Sequence, residues 1–245
     1  MLDGFVALAG QLHRPVFDDK YTADQAIVRA TLLEVHKSRK LVVVFLPWHL
    51  PEWYAQHLQV SLTLLKNNVL TYYFNSSIIE ANTPTVISSY EFIALSIASD
   101  IERLRQEKHY AAVDLLGISS GNVSLGITAE KLPHFNKVIM VVPGDSLTDS
   151  LWTGWRTRRL RNAYKRQGIS LLELQKEWDI LAPRSHIEAL KGHDIRIILA
   201  AKDHFIPHMY GKLLVNELKA AHTRVTFTDK PFGHVATILS YEPKF

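Results

Sequence analysis

The stretch Val113-Asp114-Leu115-Leu116-Gly117-Ile118-Ser119-Ser120-Gly121-Asn122-Val123 decides how the rest of the chain is read. Its first part belongs to an apolar run, Ala111–Leu116, of strand length. Gly117 ends that run, and a helical pattern, Val123–Lys131, follows almost at once. A strand that turns into a helix over so few residues needs glycine where neighbouring backbone passes close. Such a turn lifts the side chain at its centre off the strand end and aims the next helix's N-terminus at it. Ser119 is therefore the candidate nucleophile, and N–H groups beside it can stabilise a developing oxyanion. Gly-x-Ser-x-Gly is a weak signal alone, because both residues are common in loops. Ser120 is a competing hydroxyl, and the central position favours Ser119.

Working outward, short β-branched runs alternate with longer helical periods, which predicts a mostly parallel sheet wrapped by helices. Two extended segments come first, Ala26–His36 and Leu41–Pro47. The second, Leu-Val-Val-Val-Phe-Leu, lacks polar alternation and reads as a central strand buried on both faces. A helix from about Pro51 to Lys66 and a strand at Val69–Asn75 follow. Ser76–Ser89 reads as loop, and Tyr90–Lys108 as an amphipathic helix with apolar residues at 93, 97, 101 and 104. After the serine turn come a strand at Lys137–Val142, a Trp- and Arg-rich helical region to about Gly192, and a strand at Ile195–Ala200. A helix at Pro207–Ala221, a strand at Arg224–Thr228 and a short helix after His234 complete the pattern. The interval between Val142 and Ile195 is longer than an ordinary crossover, which needs about a dozen residues. Ser170-Leu-Leu-Glu173 and Ser185-His-Ile-Glu188 both fit capping boxes within it, and Gly192 is placed to stop the second helix. The expectation is one domain, 1–245, with 145–192 as a helical cap over the sheet's carboxyl edge.

Composition narrows the classes. Of 245 residues 47% are hydrophobic and 21% charged, which suits a globular core and argues against disorder or a coiled coil. There is no cysteine, so disulfides, thiolate metal sites and a cysteine nucleophile are excluded. The apolar run Phe5–Ala9 is too short for a secretory signal and lacks a basic flank. No stretch is long and apolar enough to span a bilayer. A cytoplasmic protein is expected. His204 and His208 are four apart, but Pro207 intervenes and no Glu follows the first His, so no metal site is read. No phosphate-cradling glycine motif is present, and cofactor-free chemistry is expected.

A serine nucleophile needs a general base, and the base an orienting carboxylate. Asp203 lies just past the strand Ile195–Ala200, in Asp203-His-Phe-Ile-Pro207. His234 lies just past the last strand, in Gly233-His234. Carboxyl ends of strands are where sites of open α/β sheets form. Asp145, after the strand Lys137–Val142, is the rival acid.

On these three motifs in this order, the chain resembles the α/β-hydrolase superfamily over roughly Lys40 to Ser240. The resemblance implies Ser119 as nucleophile, His234 as base then acid, and Asp203 as its partner. It also implies hydrolysis of a carboxylic ester, or a related acyl bond, through an acyl-enzyme. Members commonly carry a His-Gly pair after the strand matching Leu41–Leu46, where this chain has Leu46-Pro47-Trp48-His49. Pro47 has no N–H, so the oxyanion donors become the amides of Ser120 and Trp48, or less readily His49. Asn122 stands where a second glycine is frequent.

Two features of 145–192 bear on partners. Trp152, Trp155 and Trp178 with Leu151, Leu160, Leu171, Leu172 and Leu174 form either cap core or the roof of an apolar acyl pocket. Residues 151–170 hold Arg156, Arg158, Arg159, Arg161, Lys165 and Arg166 and no acid, a local +6 in a chain of net +4. Arg158, Arg161 and Lys165 share one helical face, which is either solvated, attracts an anionic substrate, or offers weak contact with an anionic membrane surface through 156–166. No nucleic-acid module accompanies it. The expected partner is a small acyl ester with an apolar acyl part. Thioesterase, lactonase, amidase and carbon–carbon hydrolase chemistry fit the same three residues. The altered Leu46–His49 segment keeps open a catalytically silent binding or scaffold protein.

Overall fold

A computed structural model describes residues 18–23, 26–35, 38–47, 50–74, 83–155 and 157–243. Among the described residues eight strands form one sheet: β1 (Asp18–Ala23), β2 (Ala26–Leu33), β3 (Lys40–Phe45), β4 (Asn68–Phe74), β5 (Ala112–Ile118), β6 (Lys137–Val141), β7 (Asp194–Ala200) and β8 (Arg224–Lys230). Their order is β1-β2-β4-β3-β5-β6-β7-β8. The β1–β2 and β2–β4 pairs are antiparallel, and every pair from β4 to β8 is parallel. β1 was not anticipated from the sequence.

The run at 41–46 behaves as its unbroken hydrophobicity requires. Leu41, Val43 and Phe45 join one core cluster, while Val42, Val44 and Leu46 join the other. The first cluster is closed by α2 (Thr83–Lys108), α3 (Gly121–Lys131) and α8 (His208–Ala220), the second by α1 (Glu52–Leu64) and α9 (His234–Leu239). Side chains of successive strand residues point to opposite faces, so only an apolar run satisfies two buried faces at once. In α2 the residues at 93, 97, 101 and 104 are all buried.

That helix corrects the sequence reading of Ser76–Ser89 as loop. It begins at Thr83, with Val86, Ser89 and Tyr90 buried along it; residues 75–82 lie outside the described residues. Proline in a helix's first turn gives up an N–H that has no partner there, so Pro84 starts this helix rather than breaking a pattern.

Between β6 and β7 run α4 (Leu147–Thr153), α5 (Arg158–Arg166), α6 (Leu171–Glu177), two 3₁₀ turns (Asp179–Leu181 and Pro183–His186) and α7 (Ile187–Leu190). The Ser170 box is complete, with Ser170 Oγ accepting from the Glu173 amide and the Glu173 carboxylate accepting from the Ser170 amide. The box expected at Ser185 is absent: Ser185 sits inside the second 3₁₀ turn, and His186 precedes α7 without a side-chain cap. The rigid ring of Pro183 opens that tighter turn two residues earlier. Gly192 follows α7 at φ +81°, the left-handed stop expected of it. No helix among the described residues is long and apolar enough to cross a membrane.

Candidate active site

β5 extends through Ile118, and the chain turns at Ser119, whose φ is +52°. A non-glycine residue in this region is strained and needs its surroundings to hold it there. The holding contacts are on both sides. The Ser119 amide donates to Val141 O at 2.9 Å, continuing the sheet one residue past the strand. Asn122 donates from Nδ2 to Ser119 O at 2.8 Å and to Val141 O at 3.2 Å. The flanking glycines are required by clearance. A Cβ on Gly121 would stand 2.1 Å from Phe45 O, and one on Gly117 would stand 2.5 Å from Asn122 Oδ1. The first turn of α3 is thus pressed against the carboxyl end of β3.

Two further strand ends converge on this turn. Past β7, Asp203 Oδ1 accepts from the amides of Phe205 at 2.8 Å and Ile206 at 2.9 Å, which fixes the carboxylate. Its other oxygen, Oδ2, lies 2.7 Å from His234 Nδ1. Past β8, His234 opens α9, and its Nε2 lies 2.8 Å from Ser119 Oγ. A carboxylate only accepts, so Nδ1 carries the proton and Nε2 is left to accept from the serine hydroxyl. The two strand-end loops are tied together, with Ala201 N donating to Lys230 O at 2.9 Å and Lys202 N to Phe232 O at 3.0 Å. The Phe205 ring lies 5.0 Å from the His234 ring and covers it.

Ser119, Asp203 and His234 are therefore brought together. Asp145, the rival acid, is engaged elsewhere. It is buried beside Arg184, with 3.7 Å between Oδ2 and the guanidinium, and burial pushes its carboxyl up to about 6. Ser120 leads into α3 directly after Ser119 and lines the cavity. Trp48 and His49 lie outside the described residues. His208 pairs with Asp229 at 2.9 Å.

Ser119 and His234 open into a cavity of about 530 Å³ walled largely by Leu50, Val123, Leu147, Leu151, Leu160, Ile206 and Ile238. Of the aromatic and leucine set read from 145–192, only Leu151 and Leu160 reach it. Trp178 and Leu174 are core, and Trp155 and Leu172 are exposed. Every wall residue is uncharged. Its serine and threonine side chains beyond the serine turn are already bonded within the fold. Ser150 donates to Ser146 O at 2.8 Å, Thr157 to Leu151 O at 2.7 Å, and Ser146 Oγ accepts from the Asp149 amide at 3.2 Å.

Sequence reasoning took Asn122 for a glycine replacement and missed its bracket. An amide side chain one turn after the serine was the available signal. Phe205, two residues past Asp203, was also overlooked.

No protein-family model matches the chain, and no curated protein sequence matches it. Solved structures do. An acetyl xylan esterase from a Thermoanaerobacterium species superposes at a TM-score of 0.67 with 11% identity, over 95% of this chain and 87% of that one. A Pyrococcus furiosus esterase gives 0.60 and 13%, over 91% and 85%. A Pyrococcus horikoshii acylaminoacyl peptidase gives 0.62 and 16% over 95% of this chain, which spans only 40% of that longer protein. At such identities the likeness is one of architecture: the chain has the α/β-hydrolase fold.

Proposed function

We propose that this protein is a serine hydrolase that cleaves a carboxylic ester, or a closely related acyl bond, through an acyl-enzyme. The observation that carries the reading is the continuous relay from Asp203 Oδ2 through His234 to Ser119 Oγ, with contacts of 2.7 and 2.8 Å, on a serine held at positive φ. In this reading Ser119 Oγ attacks the acyl carbon as its proton passes to His234 Nε2. Asp203 keeps the ring in the required tautomer and stabilises the imidazolium. The oxyanion takes donors from the amides of Ser120 and Trp48, the first of them at the α3 N-terminus. His234 returns the proton to the leaving alcohol, and water then repeats the sequence on the acyl-enzyme. Residues 145–192 act as a cap within a single domain, since Leu147, Leu151, Leu160 and Pro183 all come from that segment to wall the cavity.

The wall chemistry supports a neutral, apolar acyl group. A charged or sugar-like portion would lose its water and find few unengaged side chains to replace it. Esterases by name are among the proteins that share this fold, as is a peptidase, so the ester assignment rests on the wall chemistry and its test.

A fluorophosphonate probe tests the reading. Wild type is expected to be labelled and Ser119→Ala not, with thermal unfolding of the variant unchanged. Absence of labelling in both leaves the silent scaffold. Across p-nitrophenyl esters, kcat/KM is expected to climb roughly fourfold per added methylene over the shorter acyl chains, the value of burying one such group. A flat profile removes the apolar acyl assignment.

A further inference from the structure

The basic helix borders the cavity. Trp53, Val235 and Leu239 all line the cavity, yet they are 62%, 53% and 50% exposed, so the rim itself is apolar and open. Thr157 and Leu160, at the start of α5, line the same cavity. Beyond the rim α5 turns a different chemistry outward. Leu160 and Tyr164 face in, Tyr164 edge-on to Trp178 at 5.8 Å. Arg158, Arg159, Lys165 and Arg166 are exposed, and among the described residues no carboxylate pairs with any of them.

The face expected from sequence divides in two. Arg161 turns back to donate to the Trp152 carbonyl and is only partly exposed. Arg158 lies over the ring of Trp155 at 5.0 Å, and that ring is 55% exposed.

We propose that this face docks on an anionic lipid–water interface, with the α5 cations on the headgroups and Trp155 and the cavity rim at the apolar boundary. Cations draw a protein to an anionic bilayer through long-range attraction. Tryptophan settles where one side of its ring is apolar and the other wet. Open apolar surface contiguous with a cavity marks an interaction site, and a lipid surface covers both kinds of chemistry at once. A nucleic acid would satisfy the cations and leave Trp53, Val235 and Leu239 in water. The docked orientation would present the mouth to lipid, whatever reaction takes place within.

Flotation of the full chain with vesicles tests this independently of catalysis. The protein is expected to float with phosphatidylcholine vesicles containing phosphatidylserine at low salt and to be released at high salt. It should stay behind with phosphatidylcholine alone. R158Q/R159Q/K165Q/R166Q should reduce partitioning by roughly tenfold or more, and Trp155→Ser should also reduce it. Both variants should keep the wild-type thermal midpoint and fluorophosphonate labelling. Failure to float at low salt overturns the proposal, as does flotation that survives the four substitutions. Equal binding to a DNA duplex, with vesicle binding indifferent to Trp155→Ser, makes the face a general polyanion site and overturns the lipid assignment. Loss of labelling with flotation intact would strike the hydrolase reading and leave this one standing.

Discussion

Ser119 can hold a φ of +52° only because its two neighbours in space take up its backbone groups. Val141 O receives its amide, and Asn122 Nδ2 donates to its carbonyl. In Asn122→Ala neither carbonyl is orphaned, since Ser119 O still accepts from the Asn122 amide and Val141 O from the Ser119 amide. The expected cost in urea unfolding is therefore modest, about 1–2 kcal/mol for the lost buried amide bonds. Reactivity should suffer more than stability. A serine displaced by a fraction of an ångström from His234 Nε2 loses alignment, so fluorophosphonate labelling should slow by roughly tenfold to a hundredfold. An unchanged labelling rate would show that the strand ladder alone holds the turn. At this scale the serine, aspartate and histidine were legible because each follows its own strand pattern. The bracket was not, because a hydrogen bond between residues 122 and 141 leaves no mark on spacing.

At the scale of elements, the turn works only if α3 starts against β3. The 2.1 Å between a Cβ on Gly121 and Phe45 O leaves no room for a side chain, and the obstacle is backbone within a central strand. Gly121→Ala is expected to destabilise the fold by about 3 kcal/mol or more, beyond ordinary overpacking, since neither element can retreat without breaking core contacts. Urea unfolding checks this, and a loss under about 1 kcal/mol would mean that α3 tilts away freely. Elements were readable where one local rule dominated. β3 followed from its unbroken apolar run, and α6 from its capping box. The start of α2 was misread because proline punctuates loops and also opens helices. The box at Ser185 failed because its residues were drawn into the 3₁₀ turn from Pro183 to His186, whose His186 packs against Gly126 of α3.

At the scale of the whole molecule, the segment between β6 and β7 is cross-linked within itself by a charge cluster whose one buried carboxylate is Asp145. Arg184 reaches Asp145, Asp149 and Asp179. Burial pushes Asp145 up to about 6 from an ordinary 3.8; Arg184 opposes the rise, and Glu217 and Asp149 add to it. The folded protein thus keeps a proton that the unfolded chain has released, and stability falls as pH rises from about 4 to about 6. Asp145→Asn should flatten that fall and raise stability at neutral pH by about 3 kcal/mol. Burial also raises Glu217, so a smaller decline of the same sign should remain. Urea midpoints for both proteins at about pH 4.5 and pH 7.5 provide the comparison, and parallel pH profiles would refute it. By itself the sequence determined the sheet class, the order of its parallel strands' contents and the three residues at their ends, because hydrophobic period and turn chemistry are local properties. Only the tertiary structure decided that Asp203 and not Asp145 meets His234, that Leu151 and Leu160 but not Trp178 wall the cavity, and that a basic helix borders an apolar mouth. Those outcomes depend on which loops and helices meet across the carboxyl edge of the sheet, a geometry that no spacing along the chain encodes.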